Sequence, residues 1–382
     1  MKNNFEFQNP TKLIFGKGTI AQLPFELQKN EKILVTYGGG SVKQNGVYQQ
    51  VCDALKGFDY IEFWGIEPNP TIETLRKAIA LGKKEKITYI LAVGGGSVID
   101  GSKLISSAIP YDGDAWELVL HPSKIVKMIP FATVLTLPAT GSEMNCGAVI
   151  SNTEKQEKFA YYSSYPQFSI LDPVTTFSLP DFQIACGIAD TFIHVLEQYL
   201  TVPDESPLMD RWSEGIMQTL IELAPRIRNN KTDYDTMAEF MLCATMALNG
   251  FTAMGVTEDW ATHLIGHEIT ALHGVTHGQT LVIVLLGVMK ALREQKKEKL
   301  LQFGERVFQI SEGANEKRMD NTIAKCEEFF RSIGLATKLH ELNIGNETIQ
   351  LIKERFLRRG TKLGECGNID GIVTEEILNY CL

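Results

Sequence analysis

Through the first half of the chain, short apolar runs that stop at glycine or proline alternate with amphipathic stretches. Lys32 to Tyr37 ends in Gly38, Gly39, Gly40 and Ser41, Ile87 to Val93 ends in Gly94, Gly95, Gly96 and Ser97, and Phe131 to Leu137 ends in Pro138. Each run is brief and rich in β-branched or aromatic residues, as in strands of a parallel sheet buried on both faces. Segments between them, such as Thr71 to Glu85, carry helical periodicity. The alternation predicts a doubly wound sheet with ligands at the carboxyl ends of its strands. From Ser178, Pro180 and Asp181 onward, strand signals nearly vanish. Helical patterns cover Phe182 to Leu200, Asp210 to Ile227, Tyr234 to Leu248, Trp260 to Leu272, Leu281 to Gln295 and Glu316 to Ile333. Ser178 followed by Pro180 reads as a helix start, a cap residue and then a first-turn proline. The expected fold class is therefore α/β + all-α, with a Rossmann-like parallel-sheet domain over residues 1–178 and an all-helical domain over 179–382.

Composition narrows the class. A chain of 382 residues exceeds one ordinary hydrophobic core, which agrees with two domains. A net charge of −9 argues against nucleic acid or an anionic membrane as main partner. The opening residues lack the apolar run of a signal peptide, and the greasiest stretch, Leu281 to Met289, is too short to span a bilayer, so a cytoplasmic location is expected. The seven cysteines (52, 146, 186, 243, 326, 366 and 381) form no Cys-x-x-Cys pair, which suits reduced thiols rather than a disulfide framework or a thiolate zinc site.

Candidate chemistry begins with Asp190 and His194. Four residues apart on a helix, they share one face and can aim a carboxylate and an imidazole at one point. About seventy residues later His263, His267, His273 and His277 place four of the seven histidines within fifteen residues. One carboxylate with several imidazoles suits Zn²⁺ or Fe²⁺ rather than Ca²⁺ or Mg²⁺. Spacing alone leaves open a solvated carboxylate beside a core histidine. Gly94 to Ser97 follows one strand and opens a helix, so its N–H groups can meet a diphosphate, although three glycines also make a tight turn. Gly38 to Ser41 ends another strand, at a place where NAD enzymes often carry an acidic residue for the ribose 2′-hydroxyl. None is present. Glycines, Ser41 and Lys43 would instead admit a 2′-phosphate, which predicts NADPH over NADH. Thr136, Thr140 and Gly141 at a third strand end either line the cofactor or cap a helix.

Taken together, these residues resemble the iron-containing (group III) alcohol dehydrogenases, in the branch of NADPH-dependent butanol dehydrogenases and broad-range aldehyde reductases. The resemblance runs from Pro10 to Gly18, through Gly65 to Pro70, Ala92 to Val98, Leu135 to Glu143 and Asp259 to Glu268, to Leu363 to Asp370. It implies the dehydroquinate synthase-like fold, one divalent metal (Fe²⁺ or Zn²⁺) on Asp190, His194, His263 and His277, and NADPH/NADP on Gly38 to Ser41 and Gly94 to Ser97, with Asp100 nearby. Thr136, Thr140 and Lys158 resemble further cofactor contacts. His267 is similar to a family histidine beside the nicotinamide, and His273 would border the substrate cavity; either of them, or a water, would protonate the reduced carbonyl. Asn145, Phe251 and Trp260 are expected to wall a site for short aldehydes or alcohols. The family commonly dimerises, and a homodimer pairing through a strand at Lys12 to Phe15 is expected. The alternatives are an NAD-linked glycerol dehydrogenase, a dehydroquinate-synthase-like lyase, for which Asp181 to Gln198 lacks the required Lys and Arg, and a metal hydrolase, which would have no use for the glycine loops.

Overall fold

A computed structural model describes residues 3–382; Met1 and Lys2 of the opening segment lie outside the described residues. In chain order the elements are β1 (Lys12–Phe15), α1 (Leu23–Glu26), β2 (Lys32–Tyr37), α2 (Val47–Ala54), β3 (Asp59–Phe63), α3 (Ile72–Glu85), β4 (Tyr89–Gly95), α4 (Gly96–Ala108), α5 (Ala115–Leu120), β5 (Phe131–Leu137), β6 (Gly147–Asn152), β7 (Glu157–Tyr162) and β8 (Phe168–Leu171). Helices dominate thereafter: α6 (Asp181–Tyr199), α7 (Pro207–Asn229), α8 (Tyr234–Ala247), α9 (Ala261–His273), α10 (His277–Ala291), α11 (Lys297–Phe308), α12 (Asn315–Ser332), α13 (Asn346–Arg359) and α14 (Gly371–Asn379).

Two compact units result, one holding Gln8–Pro180 with Asn230–Asn249, the other Asp181–Asn229 and Gly250–Leu382 with the described residues up to Phe7. Helix α8 thus belongs with the sheet unit, where Thr245 donates to the buried Glu143.

In the α/β unit six strands pair in the order β1-β8-β5-β4-β2-β3, every pairing parallel, while β6 and β7 form a separate antiparallel pair. Side chains alternate between the two faces of the sheet. Leu34, Ile90, Ala92, Phe131 and Leu135 join one core with α3, α4 and α5, and Ile33, Val35, Tyr37, Leu91, Val93 and Val134 join the other with α2. Burial on both faces explains why these strands are nearly continuous apolar runs. β3 lies to one side of β2 and β4 to the other, so the strand order reverses direction at β2, with Tyr37 beside Val93. That reversal opens a crevice at the strand ends where α/β sheets bind ligands. Gly38 and Gly94 are the next residues of the two strands. The expected strand at Lys12 to Phe15 exists, and β8 of its own sheet occupies one edge of it. Ser178 does not cap α6; its Oγ accepts from Asn45 Nδ2.

The helical unit centres on an apolar cluster fed by α9, α10, α13 and α14. Ala261, Ile265 and Ile269 form the buried stripe of α9. At one-turn spacing, His263 and His267 form a second stripe on the same helix. No described helix is long and apolar enough to cross a membrane.

Candidate functional site

Helix α6 carries Asp190, His194 and Glu197 at successive three- and four-residue steps, so all three occupy one buried face. Asp190 Oδ1 is the point of convergence. His194 Nε2 and His263 Nε2 each lie 3.6 Å from it, and His277 Nε2 lies 3.9 Å from it. Ligand atoms of Asp190, His263 and His277 all fall within 4.8 Å of one another. His194 is outside that mutual range but stacks on His263, ring centroids 4.6 Å apart. Four ligands at metal–ligand distances near 2.1 Å in a tetrahedron stand about 3.4 Å apart, so the spacing from Asp190 to each imidazole is close to that of a bound ion.

Three chain segments meet here, and their close approach is built into the sequence. His277 begins α10, and the next residue is glycine: a Cβ at Gly278 would lie 2.5 Å from the Cys186 carbonyl oxygen of α6, one turn before Asp190. Gly266 plays a similar part between α9 and α10, since its Cβ would lie 3.1 Å from Thr280 Oγ1. On α9, the His263 ring has its Nδ1 against Glu197 Oε2, which turns Nε2 toward Asp190. His263 Nε2 is buried with no hydrogen-bond partner, as a metal ligand must be.

The turn that delivers His263 is strained and clamped. Trp260 precedes α9 with φ 63° and ψ 7°, a left-handed conformation that is costly for a bulky residue. Glu197 Oε1 accepts from the Thr262 amide at 2.6 Å and from the His263 amide at 3.4 Å, and its carbonyl accepts from the Asp259 amide at 2.9 Å. Asp259 Oδ2 in turn binds the buried Lys296 at 2.8 Å, and Lys296 also binds Glu365 at 2.9 Å and the Leu200 carbonyl at 2.7 Å. Sequence reading missed Glu197 and Lys296. For Glu197 the signal existed, since it lies three residues after His194 on the same helical face.

Electrostatically the cluster favours cations. Burial draws the His263 imidazole toward its neutral form, but the Glu197 and Asp190 carboxylates outweigh it and lift the pKa to about 9. A metal ion would take the place of the proton that this charge attracts. The donor set, one carboxylate and three imidazoles with an oriented outer carboxylate, fits Zn²⁺ or Fe²⁺.

Other anticipated residues divide. Trp260 borders the cluster, its ring 5.3 Å from His263 and 6.1 Å from His194. Phe251, in the same unit, stacks on Trp212 at 4.2 Å. His267 is buried with its ring 5.1 Å from His277. His273 is an exposed residue at the end of α9, and its Nε2 meets Thr348 Oγ1 at 2.9 Å.

In the α/β unit the two glycine loops are built differently. A Cβ on Gly94 would lie 2.7 Å from Val98 Cβ, and one on Gly96 would lie 2.7 Å from Thr140 Cγ2, so packing alone demands glycine there. Gly39 and Gly40 face open space, and Gly40, at φ 103°, has left-handed backbone. Lys43 does not extend freely beside Ser41; its ammonium sits 3.9 Å over the Trp64 ring. Thr136 is buried on β5, Thr140 Oγ1 accepts from the Ser142 amide at 3.2 Å, and Lys158 donates to Asn69 Oδ1 at 2.8 Å.

Two anticipated contacts have internal duties. Asp100 is buried, with Oδ1 accepting from Ser142 and Oδ2 from the Val149 amide, so it ties α4 to β6. Asn145 uses its whole amide: Oδ1 accepts from Lys103 and the Gly147 amide, and Nδ2 donates to the Thr140 and Leu248 carbonyls. That leaves it no hydrogen-bonding capacity for a substrate.

Comparison with known proteins agrees with this construction. The model for "Iron-containing alcohol dehydrogenase" matches residues 10–173, and that for "Fe-containing alcohol dehydrogenase family, C-terminal" matches residues 184–379. The chain is 46% identical over 381 residues to the NADPH-dependent aldehyde reductase YqhD of Escherichia coli, covering 98% of each chain. It is 39% identical over 383 residues to a probable NADH-dependent butanol dehydrogenase of Bacillus subtilis, again covering 98% of each. The crystal structure of E. coli YqhD superposes with a TM-score of 0.98 at 45% identity, over 100% of this chain and 99% of that one. With both halves matched and relatives aligned over nearly their full length, the chain belongs to the iron-containing alcohol dehydrogenase family.

Proposed function

We propose that the protein is a metal-dependent oxidoreductase that moves hydride between NADPH and short-chain aldehydes, with primary-alcohol oxidation as the reverse reaction. One observation carries the reading: three imidazole Nε2 atoms meet a single buried carboxylate oxygen at 3.6, 3.6 and 3.9 Å. Asp190, His194, His263 and His277 would hold the ion. When bound, Fe²⁺ or Zn²⁺ supplies Lewis acidity to the carbonyl oxygen while NADPH supplies the hydride. The chain's own residues bind, orient and exclude water. Gly94 to Ser97, with the start of α4, offer backbone N–H groups to the diphosphate. Open space at Gly39 and Gly40, with Ser41 at hand and no acidic residue among residues 38–45 after β2, supports a 2′-phosphorylated nucleotide. Trp260 and Phe251 give the substrate an apolar wall, and His267, buried beside His277, is placed to exchange a proton with the reduced oxygen.

Seven free cysteines suit a reducing cytoplasm, and the outer edge of β1, at the end of the sheet, suits pairing with a second copy as a homodimer. The decisive experiment follows NADPH absorbance with butyraldehyde before and after chelation, then with Fe²⁺ or Zn²⁺ restored, alongside NADH and glycerol. Loss on chelation and recovery with metal is expected, with NADPH and butyraldehyde preferred. A rate untouched by chelation, or metal-dependent ester hydrolysis without nucleotide, would sink the reading.

A further inference from the structure

Glu197 is a carboxylate that touches both the backbone and the ring of a cluster histidine. Its Oε1 accepts from the Thr262 and His263 amides at the start of α9, and its Oε2 engages His263 Nδ1. It is buried, lies on the same face of α6 as Asp190 and His194, and is not itself among the ligand atoms that converge. We infer that Glu197 is a positioning residue that fixes the tautomer and ring plane of His263, so that Nδ1 keeps its hydrogen toward Glu197 and Nε2, facing Asp190, is the nitrogen left for an ion. This rests on the metal-dependent reading above.

The chemistry of the contact makes the inference specific. An imidazole binds a metal only through a nitrogen without hydrogen, and the partner of the other nitrogen decides which one that is. An ionised carboxylate only accepts, so Nδ1 must donate and Nε2 is the nitrogen that can give up its proton to an ion. In Glu197→Gln, the amide oxygen would stay at the Oε1 position, because the two backbone N–H groups there need an acceptor. Its NH₂ would then face Nδ1 and donate to it, moving the ring hydrogen onto Nε2, the nitrogen that must be bare. Glu197→Ala loses all three contacts yet leaves the ring free to choose either tautomer.

The two variants therefore exchange places between two measurements. Thermal stability should fall in the order wild type, Glu197→Gln, Glu197→Ala, because glutamine keeps both backbone contacts. Zn²⁺ affinity, measured by competition with a chromogenic chelator, should fall in the order wild type, Glu197→Ala, Glu197→Gln. Losses of roughly 10- to 100-fold are expected for an outer-shell partner of a ligating histidine, with glutamine at the upper end. Nitrogen NMR of metal-free Glu197→Gln should show His263 Nδ1 without hydrogen, and NADPH affinity should stay within about twofold as the internal control. A Zn²⁺ affinity within twofold of wild type in Glu197→Gln, or affinities that merely follow the stability order, overturns the inference and leaves the proposed function standing. A wild-type protein that takes up no divalent ion overturns both.

Discussion

Gly278→Ala adds one methyl group at the place where α10 meets α6. The new Cβ would stand 2.5 Å from the Cys186 carbonyl oxygen and 3.0 Å from the Cys186 carbonyl carbon and Cα. Ordinary contact needs roughly 3.5 Å, so the helices must part by about 1 Å, and the obstacle is backbone, which cannot rotate aside. Overpacking of this kind costs about 1–3 kcal/mol, against which alanine's better helix propensity returns at most about 1 kcal/mol. The net loss lowers the thermal midpoint by roughly 2–8 °C for a unit of this size. The functional loss should be larger, because His277 adjoins the substituted residue and a metal site tolerates only about 0.2 Å of error in its ligand distances. Zn²⁺ affinity should drop at least tenfold with NADPH binding intact. Gly215→Ala on α7, where a Cβ meets nothing within 4 Å, is the control and should be neutral or slightly stabilising. If Gly278→Ala kept wild-type midpoint and metal affinity, the argument that this glycine sets the α6–α10 approach would be refuted.

Lys296→Met strands Asp259 and Glu365 without their buried counter-ion, and denaturant unfolding should report a loss of about 3–5 kcal/mol with the Trp260 turn loosened; an unchanged midpoint would contradict the clamp. Burial pulls the Lys103 ammonium down to about 8 against the attraction of Asp100, Cys146 and Glu143. Between pH 8 and the ordinary value of 10.5 the unfolded chain binds more protons at this site than the folded one, so Lys103 makes stability rise with pH across that window. Thermal midpoints of wild type and Lys103→Met from pH 7 to 10 should therefore diverge, in favour of wild type as pH rises, and parallel profiles would count against it. Gly39→Ala fills open space without touching protein, so calorimetry should find weaker NADPH binding at an unchanged melting midpoint; undiminished affinity would place the nucleotide elsewhere.

How far the sequence discloses the fold depends on burial. β2, β4 and β5 are legible because both faces of each are covered, so nearly every residue is apolar and the runs stand out. β3, at the sheet edge with no fully buried residue, has the mixed composition of a loop and is not legible, nor is β8, which is fully buried but only four residues long. Helices α11 and α13 lie outside the expected set although each carries an apolar stripe at helical spacing, Leu300, Phe303 and Val307 in one and Ile349, Ile352 and Phe356 in the other. Helix α8 shows a different limit. Its periodicity reveals a helix, but its place beside Glu143 in the α/β unit depends on a contact 102 residues away along the chain, which no local pattern encodes.

The candidate site obeys the same rule with the signs reversed. Histidines are rare enough in this chain that four within fifteen residues form a visible signal, and helical spacing is enough to pair Asp190 with His194. What spacing cannot supply is which imidazoles converge, because that requires α9 and α10 to fold back on α6, and the residue that permits it is Gly278, whose chemistry is the absence of a side chain. Glutamates and lysines are common, so Glu197 and Lys296 are hidden among 46 acidic and 37 basic residues until burial singles them out. Asn145 and Asp100 mark the opposite limit. Both sit in segments that resemble cofactor and substrate motifs, and both are tied to neighbours in the same unit: every hydrogen-bonding position of the Asn145 amide is used, and each Asp100 oxygen accepts one bond. A motif therefore identifies residues that the architecture cannot do without, and only hydrogen-bond saturation tells a residue that holds the loop from one left with atoms to offer a ligand. By that criterion His263, with Nδ1 engaged and a buried Nε2 that no hydrogen bond occupies, is the residue of the cluster most plainly reserved for something the chain itself does not provide.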